Sequence, residues 1–169
     1  MPIALPLDQV TIAVAHVAGI AERRVYYMLS ANDRFNTVPA HLSPEPGLQS
    51  GLMITQYTAA ACVNEIATLC TPASVTNIPT SAGVEDYNSF GPRAASQAKR
   101  AVELLRYVVA IEYLCAAEAL EHHRPLRSGE CVERAHALVR SVAPKLESDR
   151  ALSDDIDAIA GLIREGRFG

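Results

Sequence analysis

Apolar positions along this chain of 169 residues keep the spacing of helices. Over residues 8–29, Val10, Ala13, Val14, Val17, Ile20, Ala21, Val25 and Met28 follow the i, i+3, i+4, i+7 rule, which gathers them on one face of a 3.6-residue period. Asp8 stands at the head of that run, where a side-chain oxygen caps a first turn. The connection that follows, SANDRFNTVPAHLSPEPG, contains Pro39, Pro44, Pro46 and Gly47, which forbid regular structure over most of it. Its length hints at function or at wrapping around a neighbour. A second helix is predicted over residues 51–70, GLMITQYTAAACVNEIATLC, where Glu65 is the only charge. Thr55, Gln56, Thr58, Asn64, Glu65 and Thr68 are too many polar groups for hydrocarbon, so this segment predicts a helix covered by protein on nearly all sides.

The third and longest helix opens at Pro92, a favourable first-turn residue, and runs to residue 122 with Ala98, Ala101, Val102, Leu105, Val108, Val109, Leu114 and Ala117 as its stripe. After the turn RPLRSGE, two shorter helices are predicted over residues 131–142 and 153–164, the latter headed by a Ser-Asp-Asp cap. Trp is absent and Ala abundant, which is material for close helix-to-helix contact. The expectation is an all-α, long-helix bundle forming a single domain over residues 1–169. Helices this long and apolar leave side surface uncovered in so short a chain, which predicts association with other chains.

A net charge of -4 without a basic run excludes an electrostatic footprint for nucleic acid or for an acidic membrane surface. The cysteines at 62, 70, 115 and 131 lack C-x-x-C spacing and sit in apolar segments. They read as core residues of a reduced, cytoplasmic protein, without a base placed to make any of them a nucleophile. The beginning MPIALPLDQV has neither the charged n-region nor the apolar h-region of a secretory signal.

Four stretches, ERR at 22–24, PEPGLQSGLMITQYTAAA at 44–61, TPASVTNIPTSAGVEDYNSFG at 71–91 and VAIEYLCAAEAL at 109–120, occur in the order and spacing of one family. Together they resemble the C-terminal half of the aromatic amino acid ammonia-lyases and the related aminomutases. The tail APKLESDRALSDDIDAIAGLIREG is similar as well. The resemblance implies the helical C-terminal part of a fumarase/aspartase-like fold. It also implies an electrophile, the methylidene-imidazolone ring (MIO), formed when an internal Ala-Ser-Gly cyclises and dehydrates. Here SAG at 81–83 has the wrong order, because the dehydrating residue must precede the glycine. QSG at 49–51 has the right order, but the family keeps that position unmodified at a helix start. MIO and the Tyr base are therefore expected on a partner, an N-terminal ammonia-lyase-like chain carrying Ala-Ser-Gly, in a hetero-oligomer with a tetramer-like helical core.

Glu85 matches the family position that reaches the substrate, where a carboxylate accepts a hydrogen bond from an ammonium or imidazole or moves a proton. Without the resemblance, an acid there reads first as a partner for the positive end of the helix at Pro92, and the resemblance reverses that order. Asp86 is expected to cap that helix and Glu85 to be catalytic. Tyr87 and Asn88 belong to the same loop, and Met53 and Gln56 line the substrate pocket by analogy, with core packing as their other reading. Glu112, on an apolar face, needs a partner, for which Arg23 and Arg24 are available. Glu118, His122 and His123 complement a helix end and hold no metal; His16 and His136 read as surface or interface residues. The implied activity is elimination of ammonia from histidine, tyrosine or phenylalanine by a split enzyme active only with its partner. A noncatalytic scaffold or regulatory subunit, and recruitment to aminomutase or other chemistry, are the alternatives.

Overall fold

Alanine decides how the long helices meet. In the computed structural model, which describes residues 2–32 and 37–169, α1 (Ala4–Ser30), α2 (Met53–Leu69) and α3 (Gly91–His122) pack against one another, and α4 (Glu130–Arg140) and α5 (Ser153–Arg164) close one end. Single 3₁₀ turns lie at Ala40–Leu42, Ala73–Val75 and Ser81–Gly83. The all-α architecture holds: among the described residues there is no strand, only two isolated bridges. α3, 32 residues long, is the axis of the bundle and touches the four other helices. Ala18 and Ala21 of α1 and Ala94, Ala98, Ala101, Ala110 and Ala117 of α3 are buried. Side chains that small let helix axes approach to the short end of the usual 8–10 Å.

The core falls into two clusters. Val14, Ala18, Ile66, Ala101 and Leu104 join the three long helices near one end. Val25, Leu29, Leu42, Leu52, Ala59, Val108, Ile111, Leu114, Val139 and Ile159 form the larger cluster toward the other. Tyr113 stacks on Phe168 with ring centroids 4.2 Å apart, fastening the chain's last residues to α3.

Two expectations about faces are corrected. α1 begins four residues before Asp8, and its inward stripe is Ala4, Asp8, Thr11, Val14, Ala18, Ala21, Glu22, Val25 and Leu29. Val10, Val17 and Ile20 lie outside, Ile20 being 58% exposed. α1 is apolar on both sides, so periodicity could not choose between them. The side with the small residues wins because it permits close approach to α3 and gives Asp8 and Glu22 hydrogen-bond partners. α2 was expected to be enclosed, yet within this chain only Thr55, Ala59 and Ile66 are buried, and Tyr57 is 64% exposed.

Smaller differences have local causes. The proline-rich connection contains one 3₁₀ turn that buries Leu42, with Val38 also inside; residues 33–36 of that segment lie outside the described residues. No side-chain cap forms at α5, where Asp155 is drawn instead to Arg150, 2.6 Å away. The whole chain exposes 9778 Å², against about 8,100 Å² for a compact monomer of its mass. The surplus comes from long rods with apolar outer faces. By length and composition α1 could cross a membrane, but its inward face carries two hydrogen-bonded carboxylates and packs on α3.

The start of α2 depends on Gly51. Its φ is +58°, and an added Cβ would stand 2.6 Å from the His41 carbonyl oxygen and 2.8 Å from the Ser43 Cα, both backbone atoms. Gly51→Ala is expected to destabilise the chain by about 3 kcal/mol, read from urea unfolding, because it combines left-handed strain with a clash that cannot relax.

Candidate functional site

A loop hangs between the end of α2 and the start of α3, and polar side chains hold it at its base. Gln97 of α3 donates through Nε2 to the carbonyls of Leu69 (3.0 Å) and Thr71 (3.1 Å). Asp8 of α1 accepts the amides of Ala73 (3.3 Å) and Ser74 (3.0 Å). The expected cap of α1 thus serves another element: Asp8 lies within its helix and turns its carboxylate to a 3₁₀ turn 65 residues away. Farther out, Asn77 and Asn88 form a reciprocal pair, Asn77 Nδ2 donating to the Asn88 carbonyl (3.2 Å) and the Asn88 amide to Asn77 Oδ1 (3.1 Å). Asn88 Nδ2 also donates to the Ile78 carbonyl (2.6 Å) and to Thr80 Oγ1 (3.0 Å).

Beyond this pair the chain makes a small hairpin. The Thr80 amide donates to the Glu85 carbonyl at 2.9 Å and the Glu85 amide returns to the Thr80 carbonyl at 3.3 Å. The tip, Ser81-Ala82-Gly83, is left-handed throughout, with φ of +53°, +54° and +87°. Only its glycine adopts that conformation without cost. Val75, Ile78, Val84 and Tyr87 project outward, Val84 84% exposed. Glu85 is also exposed, its Oε2 accepting the Thr80 hydroxyl at 2.8 Å and its Oε1 accepting nothing among the described residues. The site residues named from sequence separate into two groups. Glu85, Tyr87 and Asn88 share this loop, where Asn88 ties its two arms together, whereas Met53 and Gln56 belong to the first turns of α2.

Asp86 does not cap α3. That helix starts with Pro92 in its first turn, has no acid there, and has no side-chain cap at Phe90.

The sequence of the chain matches the family model for aromatic amino acid lyase over residues 1–141. The chain belongs to the aromatic amino acid lyase family. Histidine ammonia-lyase from Anaeromyxobacter sp. (strain K) is 47% identical to this chain over 165 residues, 98% of the chain and 32% of the relative. The crystal structure of histidine ammonia-lyase from Trypanosoma cruzi superposes with a TM-score of 0.92 at 41% identity, over 98% of this chain and 32% of that one. Tyrosine aminomutase from Streptomyces globisporus gives 0.94 at 32% identity, over 99% and 32%. The chain spans about a third of the length of the relatives it matches.

The ERR motif of this family member is a fastener. Glu22, buried in α1, accepts Arg23 Nε (2.6 Å) and Nη2 (2.8 Å) and the Gln56 amide (2.7 Å), so Gln56 ties α2 to α1. The Arg23 hydrogen bonds, with help from Gln56, outweigh burial and hold the Glu22 carboxyl below its usual range. Arg24 forms a two-pronged pair with Glu112 of α3, one prong at 3.0 Å, which supplies the partner that Glu112 required. Glu22, Arg23, Arg24 and Glu112, with Gly19 and Tyr27, border a groove of about 860 Å³ beside α1.

Neither Ser-Gly pair of the sequence follows an alanine, the order that cyclisation of Ala-Ser-Gly to an MIO ring needs. Cyclisation needs a glycine nitrogen free to attack the carbonyl two residues earlier. At 49–51 the Gly51 amide donates to Asp149 Oδ1 (2.8 Å), the Ser50 amide to Oδ2 (2.8 Å), and the Gln49 carbonyl accepts the Ser43 hydroxyl (3.0 Å). Asp149 thereby holds the turn that leads into α2 from nearly a hundred residues away, a role that no local pattern signals. The other Ser-Gly pair, 128–129, follows an arginine and its Ser128 amide is held by Glu133. At 81–83 the order remains Ser-Ala-Gly.

The far end of α3 is polar. Glu118, 2% exposed, accepts Arg140 Nη2 at 2.8 Å and the Leu146 amide at 3.3 Å, so it is spent on α4. Among the described residues no group of three His, Cys, Asp or Glu converges. His136, expected at a surface, is partly buried: its Nε2 meets Glu121 at 2.8 Å and its Nδ1 faces Arg124 Nη2 at 3.4 Å, which makes Nδ1 the acceptor and Nε2–H the donor. Of the cysteines, Cys131 is exposed rather than core, while burial pushes the Cys115 thiol up to about 12.

Two outcomes follow from this end of the bundle. Arg140→Ala strands the buried Glu118 carboxylate and is expected to cost about 3 kcal/mol or more in urea unfolding. The Arg124 guanidinium, aided by the Ser128 amide, holds Glu133 down at about 2. Its contribution to stability is therefore complete above the ordinary carboxylate range and is lost as pH falls toward 2. NMR titration of Arg124→Ala should show Glu133 raised from there toward the ordinary range, the Ser128 amide still holding it somewhat below.

Proposed function

We propose that this chain is the helical C-terminal part of a histidine-ammonia-lyase-type enzyme that eliminates ammonia from an aromatic amino acid, and that a second polypeptide supplies the electrophile and the base. The overall reaction breaks a Cβ–H and a Cα–N bond of the amino acid, forms a C=C bond, and releases an α,β-unsaturated acid. The single observation that carries the reading is the Glu85 hairpin, a carboxylate held out on a braced loop with one oxygen unspent. Such a group is placed to accept a hydrogen bond from a substrate ammonium or imidazole, or to take a proton, once another surface closes over it. Tyr87 and the outward apolar residues of the loop would form part of that closure, with Met53 lining the pocket by analogy.

The need for a companion is supported by surface physics. Ile54 and Tyr57 of α2, Val10, Val17 and Ile20 of α1 and Val102 of α3 stand outside, more than a stable solitary bundle leaves uncovered. A second polypeptide resembling the N-terminal part of these lyases and carrying Ala-Ser-Gly, with its MIO ring, would cover them in a hetero-oligomer with a tetramer-like helical core in the cytoplasm. Histidine is the favoured substrate because the two relatives named histidine ammonia-lyase above are 47% and 41% identical to this chain, against 32% for the tyrosine aminomutase.

The chain alone is expected to be inactive, and the assembled complex to release the unsaturated acid, followed by its ultraviolet absorbance. In that complex Glu85→Gln should lower kcat more than tenfold while size-exclusion chromatography shows assembly intact. Unchanged turnover would move Glu85 to a structural role and favour the scaffold reading. A companion without Ala-Ser-Gly would favour other chemistry.

A further inference from the structure

The geometry points to Asp8 as the positioning residue of the Glu85 loop: a buried carboxylate on α1 that sets the loop's root against the bundle. The inference rests on the reading of Glu85 as the site acid.

Asp8 is only 5% exposed, and a carboxylate that deep is costly unless its oxygens are satisfied. It is satisfied by the loop. Oδ1 accepts the Ala73 amide and Oδ2 the Ser74 amide, the leading N–H groups of the Ala73–Val75 turn, and no cation approaches it among the described ion pairs. Burial pushes the carboxyl up, but the Ser74 hydroxyl and the Ser74 and Ala73 amides outweigh it and leave it below the ordinary range, so the anion persists at neutral pH.

The position of this clamp gives it leverage. α1 packs along α3, so Asp8 is fixed to the frame of the bundle. Gln97 holds Leu69, the last residue of α2, and Thr71, two residues on, and Asp8 takes the next two amides along the chain. Two residues separate Ser74 from Asn77, where the reciprocal pair with Asn88 makes the outer loop a closed unit. The hairpin beyond therefore moves as one piece, and its bearing is set by residues 73 and 74. A small tilt there displaces the Glu85 carboxylate, and a shift of about 1 Å at a reacting group costs up to about a hundredfold in rate.

Three variants of the assembled complex test this, alone and combined with Glu85→Gln. Asp8→Asn keeps one acceptor and Asp8→Ala keeps none. Ala73→Pro deletes one donor and leaves the carboxylate untouched, at a position where the extended Pro72 (ψ 133°) tolerates a following proline. Well below the unfolding temperature, kcat should fall about tenfold in Asp8→Asn and further in Asp8→Ala, with KM moved far less. Asp8→Asn added to Glu85→Gln should cost little more than Glu85→Gln alone, because Asp8 acts through that residue. Amide exchange over residues 73–90 should quicken in all three while residues 104–114 of α3 keep their protection. An unchanged kcat, a fully additive double variant, or undisturbed exchange over 73–90 would each overturn the inference. Failure of the underlying reading would look different: Glu85→Gln itself would be silent, while the exchange experiment would still decide whether Asp8 sets the loop.

Discussion

The contact between α1 and α3 is the constraint on which the other features depend. Because Ala18 and Ala21 lie on the buried face of α1, which packs along α3 with its own buried alanines, the two helices lie close, and at those positions a large side chain would have no room. The aliphatic bulk of α1 is thereby turned outward, although hydrophobicity alone would turn it inward. The same approach brings Arg24 within reach of Glu112 and Glu22 within reach of Gln56, so the ERR segment can tie three helices together. It also carries Asp8 to the loop that leaves α2.

Much of the fold was legible in the sequence. The five helices lie close to where apolar periodicity puts them, and Pro92 opens α3 as its backbone geometry demands. What periodicity could not give was orientation, since α1 and α2 are apolar all round and a 3.6-residue repeat fits either face equally well. Orientation is set by residue size and by which polar groups find partners, and both depend on the neighbouring helix. α2 shows the same limit from the other side, since most of its apolar surface finds no neighbour in this chain.

The site was legible to a different extent. Family-like segments located the loop with Glu85, and the structure adds how it is held: Asn88, read as a pocket residue, staples the loop, and Gln56 is engaged with Glu22. The supports were invisible because each joins residues far apart in the chain. Asp8 reaches residues 73 and 74, Asp149 reaches 50 and 51, and Arg140 reaches Glu118. Short-range signals assign such acids to the nearest helix start, and for Asp8 that assignment failed for this reason.

The attachment of α4 differs in kind from that of the other helices. It places only Val139 fully inside, and otherwise meets α3 and the turn before it through guanidinium, carboxylate and imidazole groups. Dissolved ions weaken such contacts more than they weaken packed alanine. Concentrated electrolyte should therefore peel this short rod from the bundle while leaving the long helices together, giving the chain two separable tiers of cohesion, one ionic and one steric.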